Sequence, residues 1–358
     1  MTQRHAHLVG SMPYKDEKSA MEKALRYLGP RLLSLPDGEI GRKSERHSHG
    51  ERLGWIQWVI ERFEKSPAFE MVKKPRYDPI NGLWADYESG VRYRLKVPRR
   101  SLYRNLDFGY IDYFKMGYGA FKKMQKEHRR NDLLYQFGIP GALAISVFSL
   151  GLLQGIRTRK IFEDRLAHEV NAINRISDGN ILFQIEVPIE LGVYLKAPRL
   201  LKSLTARWAV RSIISLVNKM DRNARIGVHL CLGDLNNRPF SLIGDAGPLV
   251  DFANRIAAIW PLDRKLEFVH FPLAMGNIPP STRAGFYEPF RRLALPAGTR
   301  IIAGFIHEGL NDQDHRYILK MIEKAAGRSV DVSSSCGFGR RTAETTELLL
   351  KKTALLAG

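Results

Sequence analysis

The sequence predicts a (β/α)8 TIM barrel, a ring of eight parallel strands in which a helix follows each strand. From about residue 181 onward, short runs rich in β-branched residues alternate regularly with amphipathic helical patterns. Repeated strand–helix units of this size imply right-handed crossovers and a parallel sheet. Eight strand candidates are present, at residues 6–12, 31–35, 132–139, 181–188, 225–233, 265–273, 300–308 and 329–337. A chain of 358 residues is long enough for eight such units.

Helical patterns fill most of the gaps between these strands. The pattern at 312–326 places Ile318, Ile322 and Ala325 on one stripe, and Gly327 follows it as a left-handed helix end would. Similar apolar stripes predict four further helices. These lie at residues 14–27, 49–64, 161–176 and 206–221.

Residues 67–110 interrupt this pattern between the second and third units. The segment is polar, aromatic and basic, contains Pro75, Pro79 and Pro98, and shows little periodicity. Functional insertions in barrels tend to lie in the loops that follow strands. We therefore expect an insertion that either covers the barrel mouth as a lid or forms an oligomer contact, within one barrel domain over residues 1–358.

The composition of the chain limits its expected cellular location and binding partners. The two cysteines do not make a disulfide framework, residues 1–13 lack the apolar core of a signal peptide, and the apolar run at 141–153 is too short to span a membrane. These features predict a cytoplasmic protein without a membrane segment. The net charge of +19 attracts polyanions, which include nucleic acid, phosphorylated metabolites and a polyglutamylated cofactor. No RNA-binding or helix-turn-helix pattern favours nucleic acid.

The run His229-Leu230-Cys231 carries two strong metal ligands on a predicted strand. In an extended strand, residues two apart point to the same face. The other cysteine, Cys336, ends the last predicted strand, and the ends of two further strands carry His270 and His307. Strand ends of this kind converge at one rim of a barrel, so we predict a metal site there. The alternative is a pair of buried structural thiols.

Zinc in proteins takes a tetrahedral set of sulfur and nitrogen ligands. His229, Cys231 and Cys336 supply three of them. Glu267 and His270 compete for the fourth place, and because they lie three apart on a strand they face opposite sides. We predict His270, while a histidine that is simply hydrogen bonded at the barrel mouth is the structural alternative.

Five short motifs follow one another along the chain. They are Gly10-Ser11-Met12-Pro13, Gly38-Glu39 with Arg42, Gln184-Ile185-Glu186-Val187-Pro188, His229-Leu230-Cys231 and Ser335-Cys336-Gly337-Phe338-Gly339-Arg340-Arg341. In these motifs and their order the chain resembles the catalytic C-terminal barrel of the cobalamin-independent methionine synthase family, within the uroporphyrinogen decarboxylase/methionine synthase-like superfamily. The resemblance covers nearly the whole chain apart from the insertion.

The resemblance implies a zinc-dependent transferase that moves a methyl or other alkyl group onto a zinc-bound substrate thiol, with homocysteine as the acceptor. By the family pattern, Ser11 would hold the carboxylate of the amino acid, and Glu39 and Glu186 its ammonium group. Arg42 is assigned to the same substrate site, and Glu186 also counts among the catalytic residues. For Glu39 the structural alternative is a carboxylate at a helix N-terminus.

The chain also departs from the family. His270 replaces a glutamate ligand, and His307-Glu308-Gly309 replaces an Asp-x-His motif, so either His307 is the acid that protonates the leaving group or the donor is not a folate. No tryptophan near Phe148 matches the one that stacks on the pterin. The expected partners are a small thiol and an alkyl donor, a folate or another anion. Alternatives are an epoxyalkane:coenzyme M transferase-like enzyme and a basic nucleic-acid-binding barrel with a structural metal.

Overall fold

Seven strands form one parallel sheet that curls into a half-barrel with helices on its outside. The computed structural model describes residues 4–358 of the chain. The strand order in the sheet is β1-β4-β5-β6-β7-β8-β9, and every neighbouring pair is parallel. In chain order the strands are β1 (Ser34–Pro36), β2 (Phe69–Lys73), β3 (Arg92–Leu95), β4 (Leu134–Pro140), β5 (Ile181–Glu186), β6 (Arg225–His229), β7 (Leu266–Pro272), β8 (Arg300–Ile306) and β9 (Asp331–Ser334).

Helices form most of the connections between neighbouring parallel strands, whereas β7 and β8 are joined through two short 3-10 turns, Ala284–Phe286 and Glu288–Arg292. The helices are α1 (Glu17–Leu28), α2 (Ile56–Glu61), α3 (Arg99–Leu102), α4 (Tyr110–Glu127), α5 (Ala142–Leu150), α6 (Leu152–Ile176), α7 (Pro188–Lys196), α8 (Lys202–Lys219), α9 (Gly247–Ala258), α10 (Asp312–Ala326) and α11 (Ala343–Ala357). Helix α10 has the predicted bounds, since the Asn311 side chain caps its start and Gly327 ends it at φ 68. The helix predicted at 49–64 is wrong in length, because Trp55 has φ 51 and leaves only α2 with short 3-10 turns around it.

The segment around Ala6 connects the two edges of the sheet. Ala6 forms parallel bridges to Leu32, just before β1, and to Val332 in β9. The strand predicted at 6–12 is therefore reduced to a single bridging residue, Ala6. The carbonyls of Leu8 and Val9 accept hydrogen bonds from the Gln136 side chain instead of from a neighbouring backbone. The fold is compatible with a TIM barrel.

Side chains inside the curled sheet are arranged in layers. Leu182, Phe268 and Ile302 form a small apolar cluster separate from the main core. A polar layer contains Gln184, whose Oε1 accepts from His7 Nε2 at 3.0 Å and whose Nε2 donates to the Val9 carbonyl at 2.7 Å. The candidate site occupies the carboxyl ends of the strands, so the apolar cluster and the polar layer close the interior away from it.

Residues 67–110 contain an antiparallel pair, β2 and β3, and the short helix α3. Their connecting loop contacts the loop that follows β6. Asn81 Nδ2 donates to Asn236 Oδ1 at 2.9 Å, and Tyr87 OH donates to the Arg238 carbonyl at 3.0 Å and accepts from Leu235 N at 2.9 Å. The segment therefore lies against the strand end that carries the predicted metal ligands.

None of the helices between residues 4 and 358 combines the length and apolar character needed to cross a bilayer.

The layered interior leads to a stability prediction at Gly227 in β6. A Cβ atom at this position would overlap the ring of Phe268. We expect Gly227→Ala to lower the free energy of unfolding by roughly 1–3 kcal/mol, because extra atoms in a filled interior force the surroundings apart. Urea titration of the variant measures the loss. Gly244→Ala is the matched control, since a Cβ there meets nothing within 4 Å, and equal midpoints for the two variants would contradict the proposed packing.

Candidate metal centre and its cavity

Three of the predicted ligands come together at the carboxyl end of the sheet. The potential ligand atoms of His229, Cys231 and Cys336 all lie within 4.8 Å of one another. His229 ends β6, whereas Cys336 lies two residues beyond the end of β9. Strands β7 and β8 separate β6 from β9 in the sheet, so the curvature of the sheet brings the ligands together.

Cys231 does not extend β6 as the alternation of a strand predicted. Its backbone N donates to the His229 carbonyl at 3.0 Å, and the chain turns there. A hydrogen bond between residues two apart is the mark of a γ-turn. The turn, and not strand periodicity, places the thiol beside the imidazole. The Cys231 sulfur also accepts from Gly233 N at 3.3 Å, which fixes the loop after the ligand.

His270 lies behind His229 and outside the ligand cluster. Its Nε2 is 2.9 Å from the Ser334 carbonyl, and since a carbonyl can only accept, this nitrogen carries the proton. Nδ1 of His270 is 2.7 Å from Nδ1 of His229 and accepts its proton. Burial lowers the pKa of His229 well below its ordinary value and that of His270 to about 4, so both rings are neutral.

The prediction of His270 as the fourth ligand does not fit this geometry, because both its nitrogens have partners. Glu267, the competitor, lies at the other end of the strand, where its oxygens accept from Arg225 Nε at 3.1 Å and Lys265 Nζ at 2.8 Å. The register of the sheet explains the position of His270, since it pairs directly with His229 across β6 and β7. Its contact with Nδ1 of His229 instead fixes the orientation of that ring.

The residues present fit a zinc ion. His229 Nε2 is buried, carries no proton in the tautomer described above and has no hydrogen-bond partner among residues 4–358. Two thiols and one imidazole are a set found in catalytic zinc sites, which leave a fourth position for water or substrate. A ligand histidine usually donates its other N–H to a fixed partner, as His229 does to His270.

A cavity adjoins the cluster. Its volume is about 60 Å³. Five aromatic side chains, Trp55, Trp84, Tyr87, Phe148 and Phe240, contribute to its wall. The polar part of the lining, apart from the cysteines, includes Ser11, Glu39, Gln57, Glu186, Asp234 and Arg340.

Two of the predicted substrate residues, Glu39 and Glu186, converge on Gly138. A Cβ at this glycine would lie 2.7 Å from Glu39 Oε1 and 3.2 Å from Glu186 Oε1, so only glycine leaves room for both carboxylates. Burial raises the pKa of Glu39 to about 7, and burial followed by the charge of Glu39 raises the pKa of Glu186 well above its ordinary value. A cation bound between them would favour the ionised form of both.

Ser11 lies in the cavity wall together with Arg340. Arg340 Nη1 donates to Ser11 Oγ at 3.1 Å, and Gly339 N donates to the same oxygen at 3.3 Å. Nε of Arg340 is buried and has no partner within the described part of the chain. The guanidinium thus has a free donor for a carboxylate. Its place within the last motif was the sequence signal for this residue, which the predicted site did not include.

Two predicted site residues lie elsewhere. Arg42 is exposed, lies over the Tyr113 ring at 5.8 Å and borders a different surface cavity. His307 is buried outside the cavity wall. Its Nε2 donates to the Gly276 carbonyl at 3.1 Å and its Nδ1 accepts from Gly309 N at 2.9 Å, so neither nitrogen is available to a substrate. Sequence position alone could not reveal either contact.

The fold and the site together define an α/β protein with a His-Cys-Cys candidate metal centre at the carboxyl ends of parallel strands. No protein-family model matches the sequence, and a search of curated proteins finds no match. Among solved structures, the fold is similar to that of a B12-independent methionine synthase from Shewanella sp. W3-18-1 in complex with selenomethionine. The TM-score is 0.60 at 11% identity, over 100% of this chain and 97% of that chain.

A GH5-4 broad specificity endoglucanase from Clostridium acetobutylicum is much less similar, with a TM-score of 0.37 at 10% identity over 66% of this chain and 77% of that chain. The likeness to the methionine synthase shows that the two chains share a fold.

The tautomer assignment predicts different effects for the two histidines. His270→Gln should weaken zinc binding by about 10–100-fold while keeping one zinc ion per chain, because it removes a group that orients a ligand. His229→Gln should abolish stoichiometric binding. Competition with a chromophoric chelator measures both, and His128→Gln, at an exposed histidine, is the control. If His270→Gln lost zinc as completely as His229→Gln, His270 would be a direct ligand.

The raised pKa of Glu39 predicts a pH-dependent stability. Its folded-state pKa of about 7 exceeds the ordinary 4.5, so its stabilising contribution is full below the ordinary value and is lost as pH rises through the folded value. The natural chain should therefore lose on the order of 2 kcal/mol of unfolding free energy between about pH 4.5 and about pH 8, and Glu39→Gln should not. Urea unfolding of both proteins at both pH values measures this difference.

The exposed Glu127 offers the control, Glu127→Gln. If the unfolding free energies of the natural chain and of Glu39→Gln changed in parallel with pH, the pKa of the Glu39 carboxyl would not be raised in the folded state.

Proposed function

We propose that the chain is a zinc-dependent transferase that moves a methyl or other alkyl group onto a substrate thiol, with homocysteine as the acceptor. One observation carries the proposal: a His-Cys-Cys cluster borders the same buried cavity as a pair of carboxylates and a guanidinium. These are complementary groups for the thiol, the ammonium and the carboxylate of one amino acid.

His229 Nε2, Cys231 and Cys336 would hold the zinc ion. When bound, zinc would favour the thiolate form of a substrate thiol near neutral pH and keep it available as a nucleophile. His270 holds the His229 ring in the required tautomer through the hydrogen bond between their Nδ1 atoms. The protein thus prepares the ligand before any substrate arrives.

The other residues of the cavity would bind the rest of the amino acid. Glu39 and Glu186 would hold its ammonium group, and Arg340 together with Ser11 its carboxylate. Fixing both groups directs the sulfur toward the cluster and lowers the entropy cost of reaction. The acidic pair favours an amino acid thiol over a sulfonate thiol of the coenzyme M type, because a sulfonate would meet two carboxylates.

The insertion would act as a lid within a single barrel domain. Trp84 and Tyr87 belong to it and line the cavity, and Tyr87 is hydrogen bonded to the loop after Cys231. These contacts favour the lid over the oligomer contact. A closed apolar wall excludes water and leaves the sulfur poorly solvated, which strengthens every electrostatic contact inside.

The fold likeness favours the same interpretation. The methionine synthase with the similar fold is in complex with selenomethionine, a small amino acid. A reducing cytoplasm would keep both cysteines of this chain as thiols.

Substrate binding can be tested on cobalt-loaded protein, in which thiolate coordination produces an absorption band. Homocysteine should change the spectrum, and homoserine, which lacks the thiol, should not. Glu186→Gln should weaken homocysteine binding by about 10–100-fold and leave the metal affinity unchanged, because it removes a charged hydrogen-bond partner of the ammonium group. Glu127→Gln is the control.

Cys231→Ser should lose the metal itself. If Cys231→Ser kept its metal content, the proposed centre would be wrong. If another thiol changed the spectrum and homocysteine did not, the transferase proposal would stand with a different acceptor.

A further inference from the structure

The cavity is acidic although the chain is strongly basic. Three carboxylates, Glu39, Glu186 and Asp234, line it with a single guanidinium, that of Arg340, while the whole chain has a net charge of +19. The ammonium group of an amino acid would account for Glu39 and Glu186. The proposed function assigns no role to the third carboxylate, Asp234.

Asp234 is buried and poorly compensated. Its side chain is 2% exposed, and among residues 4–358 no group donates a hydrogen bond to either carboxylate oxygen. The closest cation is Arg341 Nη1 at 3.8 Å, and that guanidinium donates from Nε to both oxygens of Glu308 at 3.1 Å. A buried charge without hydrogen bonds is costly, so the fold retains one here at the expense of stability.

A cation bound beside this carboxylate would favour its ionised form. Burial raises the pKa of Asp234 to about 6, Arg340 and Arg341 oppose that rise, and Glu308 adds to it. Tyr87 and Cys336 are the other titratable groups close to it. Asp234 therefore offers a negative charge to the cavity that no described hydrogen-bond donor satisfies.

Asp234 lies nearer the mouth than the acidic pair. Glu186 is the last residue of β5, whereas Asp234 follows β6 by five residues and precedes Leu235, which is hydrogen bonded to Tyr87 of the insertion. Cys336, Glu186 and Asp234 all line this one cavity, so the candidate cluster shares it with both acidic groups.

Aromatic rings surround the mouth side. The rings of Tyr87 and Phe240 are 5.1 Å apart, and Phe148 is 6.4 Å from Phe240. Lys196 Nζ lies 3.7 Å from the Phe240 centroid, so the chain itself supplies one cation–π partner of this ring. Aromatic faces next to a carboxylate are the environment that recognises quaternary ammonium and other methylated cations.

The position of His307 also bears on the donor. A neutral amine donor must take up a proton when it leaves, and both nitrogens of the predicted acid, His307, are held by backbone groups. A positively charged donor leaves as a neutral molecule and needs no acid.

We propose that the alkyl donor is a methylated onium ion, a sulfonium or a quaternary ammonium compound, held on the mouth side by Asp234 and the aromatic wall. This inference rests on the proposed transferase function. The electron pair of the substrate thiolate attacks the methyl carbon, and the new carbon–sulfur bond forms as the bond to the onium atom breaks. The breaking pair returns to that atom and yields a neutral thioether or tertiary amine. One negative and one positive charge cancel, and no proton moves.

This assignment differs from the anionic donor that the net charge suggested. The charge of the whole surface acts at long range, whereas selection among donors depends on the charges inside the cavity.

Calorimetric binding to the zinc-loaded full chain tests the proposal directly. Choline and 3,3-dimethyl-1-butanol have nearly the same shape, and only choline is charged. We expect choline and trimethylsulfonium to bind at least about tenfold more tightly than the neutral alcohol. Asp234→Asn should remove the preference for choline over the neutral alcohol. Asp263→Asn, at an exposed position outside the cavity, is the control and should keep that preference. Phe240→Leu leaves Asp234 in place and should reduce the preference.

Methyl transfer distinguishes the two onium classes. Deuterated trimethylsulfonium should give deuterium-labelled methionine from homocysteine, together with dimethyl sulfide, if the donor is a sulfonium ion. Labelled choline should give labelled methionine if it is an ammonium ion.

Equal binding of choline and the neutral alcohol would overturn the inference, and so would an unchanged preference in Asp234→Asn. If homocysteine still changed the cobalt spectrum in that case, the proposed function would survive, and transfer from a methylated folate would identify an anionic donor. If the spectrum did not respond to any thiol, the proposed function itself would fail.

Discussion

The Ser334 carbonyl controls the chemistry of the candidate centre. Because it can only accept, it fixes the proton of His270 on Nε2, and this in turn fixes the proton of His229 on Nδ1. His229 Nε2 is thereby left as a base. Ser334 ends β9 and its hydroxyl donates to the Cys336 carbonyl at 2.6 Å, so one strand end sets both the protonation of one ligand and the position of another.

The layers beneath the site support this arrangement. The apolar cluster around Phe268 closes the interior, and the glutamine layer holds the backbone near Val9 by side-chain hydrogen bonds. Neither layer contains a charged group. The buried carboxylates Glu39, Glu186 and Asp234 instead line the cavity at the carboxyl ends of the strands. Their burial costs stability, and a bound cation would partly recover it.

Much of this arrangement follows from the sequence. The alternation of strand and helical patterns predicted the parallel sheet, and the two cysteines at predicted strand ends indicated the cluster with His229. The prediction failed where the answer depends on tertiary contacts. Whether His270 could bind metal depends on the register of β6 against β7 and on a carbonyl from β9. The spacing of residues within one strand determines neither of these contacts.

The same limit applies to the substrate residues. Arg42 and Arg340 both belong to motifs, and only the fold distinguishes the exposed one from the buried one. The first predicted strand is reduced to the bridging residue Ala6, and at Leu8 and Val9 the Gln136 side chain takes the place of a backbone partner. Asp234 follows a strand end like other site residues, but no spacing rule separates an uncompensated carboxylate from an ordinary loop aspartate.

The bridges of Ala6 have a consequence for the order of folding. Ala6 pairs with Val332 in β9, so the earliest and the last strand segments of the sheet must meet before the ring of strands can close. During synthesis the ribosome releases β9 long after the segment around Ala6, and contacts of such separation form late. Cys336 follows β9 directly. The candidate metal centre is therefore completed only when the sheet closes, so a nascent chain lacks one of the three candidate ligands until its last strand has docked.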